Sequence, residues 1–311
     1  LKIAVVIAAY NLEPWIDICF SGLYERPDVQ IIVVDNCSCD NSVSLIEKNY
    51  SSIIVIKNER NLGFGGANNI GIAKALELGS DFVLLLNQDA HLVGICLDVL
   101  LEIATKEKEF GIFSPMHLSG DGKNLDSRFS YYLSRFGNRY LTNMLFRGEK
   151  PKAVYEVGFV NAAIWLLPIS TIQRCGGFDP IFGHYGEDED YVQRLSFYKL
   201  KAGVVPAALA IHDRPQKFEI TETDDITALN RNKLLILFKN PGKSLFRHFV
   251  SFSATHVVVS FNILLRRTEK GMKEHLKFYV MALGNVPRLY KSRKISYKTK
   301  LPFIQELVNG N

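Results

Sequence analysis

Four short apolar runs dominate the first ninety residues: Val5 to Ala9, Ile31 to Val34, Ile53 to Ile56 and Phe82 to Leu86. Each ends in a polar or glycine-containing turn. Stretches with helical spacing lie between them, at Trp15 to Tyr24, Ser42 to Lys48 and Gly65 to Leu78. Strands without polar alternation are covered on both faces, and their regular exchange with helices requires a mainly parallel sheet with helices on either side. In such sheets ligands collect at the carboxyl ends of the strands. The residues placed there are Tyr10 and Asn11, Asp35 and Asn36, Asn61 to Gly66, and Asn87 to Ala90.

From about residue 110 to 160 the pattern loosens, with an aromatic- and Arg-rich stretch at Ser130 to Tyr140. A strand at Phe159 to Leu167, a helix from Ile169 to Cys175 ending at Gly176 and Gly177, a helix opening in the acids Glu187 to Asp190 and continuing to Lys199, and a strand at Val204 to Ile211 follow. Beyond about 216 the sequence reads as helical. The expected organisation is a domain over 1–215, whose halves meet at about 110, and a basic helical extension over 216–311.

Charge supports that division. Net charge is +5. Residues 239–300 carry fourteen Lys and Arg against Glu269 and Glu274, which is +12 and leaves −7 for the rest. Phe249 to Leu265 is apolar but shorter than the roughly 20 residues a membrane span needs, and His256 and Asn262 interrupt it. A core helix or one lying on an anionic membrane surface are both open readings. Nucleic acid is not expected as a partner, because no recognised module accompanies the charge. The five cysteines fit neither a disulfide framework nor a zinc site and read as free thiols of a reducing compartment. No signal-peptide pattern precedes the first strand. The expected location is cytoplasmic, peripheral on the cytoplasmic face of the inner membrane.

Five motifs carry chemistry. A carboxylate at a strand end, Asp35, can accept the imide N–H of a pyrimidine base, whereas Asp40 reads as a turn or helix cap. Asn61-Leu62-Gly63-Phe64-Gly65-Gly66-Ala67-Asn68 opens a helix, either to approach phosphate closely or to pack tightly. Asn87-Gln88-Asp89 ends an apolar strand in a carboxylate able to begin a hard-cation site. Gly176-Gly177-Phe178-Asp179 leads into Gly186-Glu187-Asp188-Glu189-Asp190 and Arg194, where crowded acids make a tunable base or simply suit a helix dipole. His212 closes a strand and reads as a structural histidine or a ligand.

In this order the motifs resemble those of the family 2 glycosyltransferases, particularly the bacterial rhamnosyltransferase-like branch, over about residues 3–240. The resemblance implies a GT-A fold and a nucleotide-diphosphate sugar donor bound through Tyr10, Asp35, Asn61, Gly65, Asn68 and Asn87. It implies Mg2+ or Mn2+ on Asp89 and His212, and Asp188 as catalytic base. Glu187, Glu189, Asp190 and Arg194 would support the base or hold acceptor hydroxyls. The expected reaction is inverting transfer, with rhamnose from dTDP-rhamnose as the donor suggested by resemblance. The acceptor would be a glycan or lipid-linked molecule in cell-surface polysaccharide synthesis. An inactive nucleotide-sugar-binding scaffold is the alternative. Two positions depart from the family pattern: Asn87 stands where the first acid of its triplet is usual, and Ala8 and Ala9 stand where Thr or Ser commonly precedes the Tyr.

Overall fold

The computed structural model describes residues 1–183, 185–214 and 269–308, together with 232, 235, 236, 238–240, 244, 247 and 250. The apolar run at 249–265 therefore lies, apart from residue 250, outside the described residues.

One nine-stranded sheet organises the chain. The first half supplies β1 (Ile3–Ala9), β2 (Val29–Asp35), β3 (Ile54–Lys57) and β4 (Phe82–Leu86), then β5 (Ala90–Leu92). The second supplies β6 (Phe110–Leu118), β7 (Tyr155–Val157), β8 (Ile164–Pro168) and β9 (Lys201–His212). The spatial order is β3-β2-β1-β4-β8-β6-β9-β5, with β7 beside β9. Strands β3, β2, β1 and β4 are mutually parallel, so the ends that carry Asp35 and Asn87 point the same way. Antiparallel β8 then joins β4, with Leu86 opposite Ile164. The parallel character is thus confined to the first four strands and the β6–β9 pair.

Side chains alternate across β1 and divide the core in two. Ile3, Val5 and Ile7 pack with residues of α1 (Ile16–Phe20), α2 (Ser42–Asn49) and α4 (Cys96–Lys106). Ala4 and Val6 pack with α3 (Gly63–Glu77), α7 (Ile169–Cys175) and α8 (Glu187–Phe197), joined by Phe129 of α5 (Ser127–Phe136) and Leu141 of α6 (Arg139–Arg147). Each fully buried aliphatic contributes about 1.5–3 kcal/mol. Helix α3 reaches β1 closely because position 71 is glycine: a Cβ there would lie 2.2 Å from Val6 Cγ1.

The structure corrects the sequence reading in three places. Strand β6 lies within the stretch whose pattern loosens, and eight of its nine residues are buried. Gly111, Ser114, Pro115 and His117 interrupt its apolar run, so it lacks the continuous signal of β1 to β4, and the pairing with β9 is irregular at Pro115/Met116. The run from Phe159 is strand only from Ile164, because the Gly158 N–H is taken by Phe136 O (2.7 Å) instead of by a neighbouring strand. The helix expected over Trp15 to Tyr24 is a 3-10 turn, Glu13–Trp15, followed by the short α1.

The C-terminal part includes α9 (Glu269–Lys298) and α10 (Gln305–Val308). Leu235, Ile236, Phe238 and Leu289 bury themselves against Phe182, and Ile304 joins the core beneath α3. Among the described residues no helix is long and apolar enough to cross a membrane.

Candidate active site

The lip of the sheet at the ends of β1 and β2 is held by amide and carboxylate side chains bonded mainly to backbone groups. Asp35 sits opposite Ala9 and is 5% exposed. Its Oδ2 accepts the Ser38 N–H (3.2 Å), while the buried Oδ1 has no hydrogen-bond partner. A buried carboxylate oxygen left unpaired is costly, so Asp35 is suited to receive a donor from a ligand. Tyr10 is 47% exposed beside it. The Tyr10 N–H donates to Gln88 Oε1 (2.7 Å) and Gln88 Nε2 donates back to Tyr10 O (3.1 Å), tying β1 to the turn after β4. Asn11 has a left-handed backbone (φ 56°) and its Oδ1 accepts the Cys39 N–H (3.0 Å). Asp40 accepts from the N–H groups of Glu13 (3.1 Å) and Ser42 (3.0 Å), the turn role read for it.

Asn36, buried beside Asp35, organises the next loop. Its Nδ2 donates to Gly63 O (3.1 Å), and its Oδ1 accepts from Asn58 Nδ2 (3.0 Å) and the Leu62 N–H (3.1 Å). Asn61 Oδ1 accepts the Gly63 N–H (2.8 Å). The glycines here serve packing. Gly63 has φ +73°, and a Cβ on it would meet Gly183 O at 2.6 Å. A Cβ on Gly65 would meet Phe178 Cβ at 3.0 Å. Asn68 is buried and donates to Phe64 O (2.9 Å), so it faces its own helix. Asn69, which motif reading left without a role, accepts the Phe178 N–H (2.7 Å) and donates to Phe178 O (2.8 Å), locking α3 to the Gly176–Asp179 turn.

At the end of β4, Asp89 and His212 come together. His212 Nε2 lies 3.2 Å from Asp89 Oδ1 and 3.4 Å from the Asn87 side-chain nitrogen. Pairing of β5 with β9 sets Ala90 opposite His212, and the Asp213 N–H donates to Asp89 O (2.7 Å). One carboxylate and one imidazole suit a divalent ion that takes its other ligands from phosphate and water. The Asn87 amide, turned over, would add an oxygen at the same point. Among the described residues no third His, Cys, Asp or Glu joins the pair.

Asp188 opens α8. It is half-buried, and its Oδ1 accepts the Glu189 N–H (2.8 Å). It also takes a backbone hydrogen bond from Ala162, and the next residue, Ala163, accepts the Asn87 N–H (2.8 Å). The base candidate and the Asn87–Asp89 turn are therefore joined through one short stretch of backbone. Burial pushes the Asp188 carboxyl up to about 6. Burial first and Asp188 second push buried Glu187 up, and its Oε2 has no partner.

Asp190 and Arg194 do not face the site. Both are fully buried, Arg194 Nε donating to Asp190 Oδ2 (2.9 Å). Arg194 also donates to Gly177 O (2.8 Å) and to Cys175 O. Lys239, fully buried, lies 2.9 Å from Asp190 Oδ1 and bonds Asp179, which also accepts from Ser292. Two acids and two bases thus form a neutral buried tetrad behind α8. Burial, the largest influence, would raise the Asp190 carboxyl, but Lys239 and Arg194 outweigh it and hold it low. Asn232 Nδ2 donates to Tyr185 O, whose backbone is left-handed (φ 65°). Lys239 and Asn232 escaped sequence reading because nothing in a helical, basic tail singles them out. Glu189 is exposed.

Comparison with known proteins agrees with this geometry. The sequence profile described as Glycosyl transferase family 2 matches residues 4–159. The N-acetylglucosaminyl-diphospho-decaprenol L-rhamnosyltransferase of Mycobacterium tuberculosis is 25% identical over 232 residues, 68% of this chain and 75% of that protein. Among solved structures, S. aureus TarS 1-349 aligns with TM-score 0.58 and 16% identity over 94% of this chain and 82% of its own. GalNAc-T7, solved with UDP, GalNAc and Mn2+, aligns with TM-score 0.55 and 15% identity over 76% of this chain, which spans 47% of that one.

Proposed function

Because the chain belongs to the family 2 glycosyltransferases and has their GT-A fold, we propose that it transfers a sugar from a nucleotide diphosphate to a lipid-linked glycan acceptor by single displacement with inversion, Asp188 acting as base. The observation that carries this reading is the position of Asp188. It is a half-buried carboxylate with a raised pKa, tied by backbone hydrogen bonds at Ala162 and Ala163 to the turn that holds Asp89. A base whose pKa sits near working pH is effective, and removing one typically costs about 10² to 10⁴ in rate. One base without a nucleophile partner leads to inversion.

The unpaired Oδ1 of Asp35 supports recognition of a pyrimidine imide N–H, with the exposed Tyr10 ring beside it to cover the base. Asn36 and Asn61 shape the loop between base and phosphates. Asp89 and His212 would hold Mg2+ or Mn2+, with phosphate and water oxygens as the other ligands. Such an ion neutralises charge on a leaving diphosphate. Rhamnose carried on dTDP is the donor proposed, and a prenyl-diphosphate-linked sugar the acceptor. Both rest on the name of the mycobacterial relative and on family resemblance. Peripheral attachment to the cytoplasmic face of the membrane is supported by Arg288, Lys291, Lys294 and Lys298, all exposed on α9. The extension over 216–311 is proposed as part of one working unit with 1–215.

The test is a panel of nucleotide sugars with Mn2+ or Mg2+, followed by nucleoside diphosphate release. Release from one donor, abolished by EDTA and lowered about 10² to 10⁴ by Asp188→Asn, is the expected result. Near-full turnover of Asp188→Asn refutes the assignment. Donor binding without release, even with lipid-linked acceptors present, identifies the inactive scaffold instead.

A further inference from the structure

Residues 127–155 hold six cations, Arg128, Arg135, Arg139, Arg147, Lys150 and Lys152, against the single acid Glu149. Aromatic residues are interleaved with them. Arg128, Tyr131, Tyr132 and Arg135 recur at three- and four-residue spacing and share one face of α5. Tyr131 is 43% exposed, Phe136 36% and Tyr140 51%. Arg135 donates to the Tyr131 hydroxyl (3.0 Å) and lies 5.5 Å over the Phe136 ring. Arg139 donates to the Tyr140 hydroxyl (3.3 Å) and lies 5.1 Å over its ring. Among the described residues the ion pair of this stretch's own cations is Arg147 with Glu149 (3.1 Å), so Arg135 and Arg139 carry charge that no carboxylate balances.

This face adjoins the proposed base. Ala162, three residues after Phe159, donates its backbone N–H to the Asp188 carboxyl, and burial first and Asp188 second push the Tyr132 hydroxyl up to about 12. Tyr132 packs edge-on against Phe159, centroids 4.9 Å apart, and Phe136 O accepts the Gly158 N–H (2.7 Å). The last turn of α5 is thereby fixed to the segment 158–162 that precedes β8 and ends in Ala162, the backbone donor to Asp188.

We propose that Arg135 and Arg139 bind the diphosphate of a prenyl-diphosphate-linked acceptor sugar, with the exposed Tyr131, Phe136 and Tyr140 rings against the first units of its apolar chain. The proposal rests on Asp188 as the base that receives the acceptor hydroxyl. A sugar held there presents its diphosphate on the far side of its ring. Helix α5 rises about 4.5 Å from Tyr132 to Arg135, and the long Arg side chain adds further reach. Guanidinium forks match phosphate oxygens in paired hydrogen bonds, and flat amphipathic rings offer apolar area with little entropy to lose.

The test titrates the full chain with farnesyl diphosphate, with farnesol and inorganic diphosphate as the two halves of the probe. Phosphatidylcholine vesicles carrying a prenyl diphosphate are compared with phosphatidylglycerol vesicles lacking it. Farnesyl diphosphate should bind more tightly than either half. R135A/R139A should weaken it at least tenfold, and R135K/R139K should fall between, since lysine keeps the charge and loses the fork. Unchanged affinity in R135A/R139A overturns the proposal. So does binding to phosphatidylglycerol that equals binding to the prenyl diphosphate vesicles, which would make the face a general membrane contact. If no donor supports transfer, the assignment of Asp188 fails, while the farnesyl diphosphate titration still decides the surface.

Discussion

Around β1, β2 and α3 the loops are stitched by uncharged amides, Asn36 to three partners, Gln88 to Tyr10 and Asn69 to Phe178, and by the carboxylates of Asp35 and Asp40 accepting backbone N–H groups. Behind α8 the same task falls to charges, with Asp179, Asp190, Arg194 and Lys239 buried together. An amide bond contributes about 0.5–1.5 kcal/mol net and can be lost singly. A buried ion pair loses about 3–5 kcal/mol when one partner goes, because the other is left uncompensated in low dielectric. The donor side can therefore adjust locally, while the base-bearing side holds its geometry or loses it as a whole.

The largest effect should come from breaking the tetrad. Lys239→Met should destabilise the protein by about 3–5 kcal/mol, read by urea unfolding. The double variant Lys239→Met with Asp190→Asn should recover part of the loss by removing the orphaned charge. If Lys239→Met alone unfolds like wild type, the contrast between the two sides collapses. An intermediate effect belongs to the amides. Asn36→Ala removes three hydrogen bonds, a loss of about 1–3 kcal/mol, and should raise the donor KM more than it lowers kcat. A kcat effect without a KM effect would show that the loop serves the base instead.

The smallest effect sharpens the comparison through pH. Glu187 binds its proton more tightly folded than unfolded, so its contribution is fully present below about pH 4.5 and is lost as pH rises to about 8. Glu187→Gln keeps the neutral shape. Its Tm should fall less than that of wild type over that range, the remaining fall coming from Asp188 up to about pH 6, and parallel curves would remove Glu187 from the account. Asp188 acts in the opposite sense on rate. The base must be ionised, so kcat/KM should fall as pH drops below about 6.

The sequence announced β1 to β4 because their strands are short, apolar and followed by polar turns, and Asp35, Asp89 and Asp188 all lie where those turns and the acidic run suggested. Strand β6 stayed hidden because Gly111, Ser114, Pro115 and His117 break the apolar run that marks the other buried strands. Asp190 and Arg194 looked like site residues by their company in the motif, yet their side chains turn into the core. An i,i+4 pair at a helix start reads alike in either orientation, and the direction is set by Lys239, forty-nine residues after Asp190 in a stretch without a motif. Gln88 was inside a recognised motif, but its exchange with Tyr10 depends on the crossing of two strands that sequence does not align.

The buried position of Lys239 also bears on modularity. A protein ending at residue 215 would keep Asp179, Asp190 and Arg194 but lose the second cation and the Ser292 and Leu289 cover, leaving a surplus negative charge and a bared Phe182 behind the proposed base. It would also lose Asn232 from the turn at Tyr185. The boundary suggested by composition is bridged by side chains, Lys239, Ser292 and Asn232, that reach back to residues 179–190. A recombined enzyme that exchanges acceptor specificity would have to carry residues 176–194 and their C-terminal partners as one inherited block.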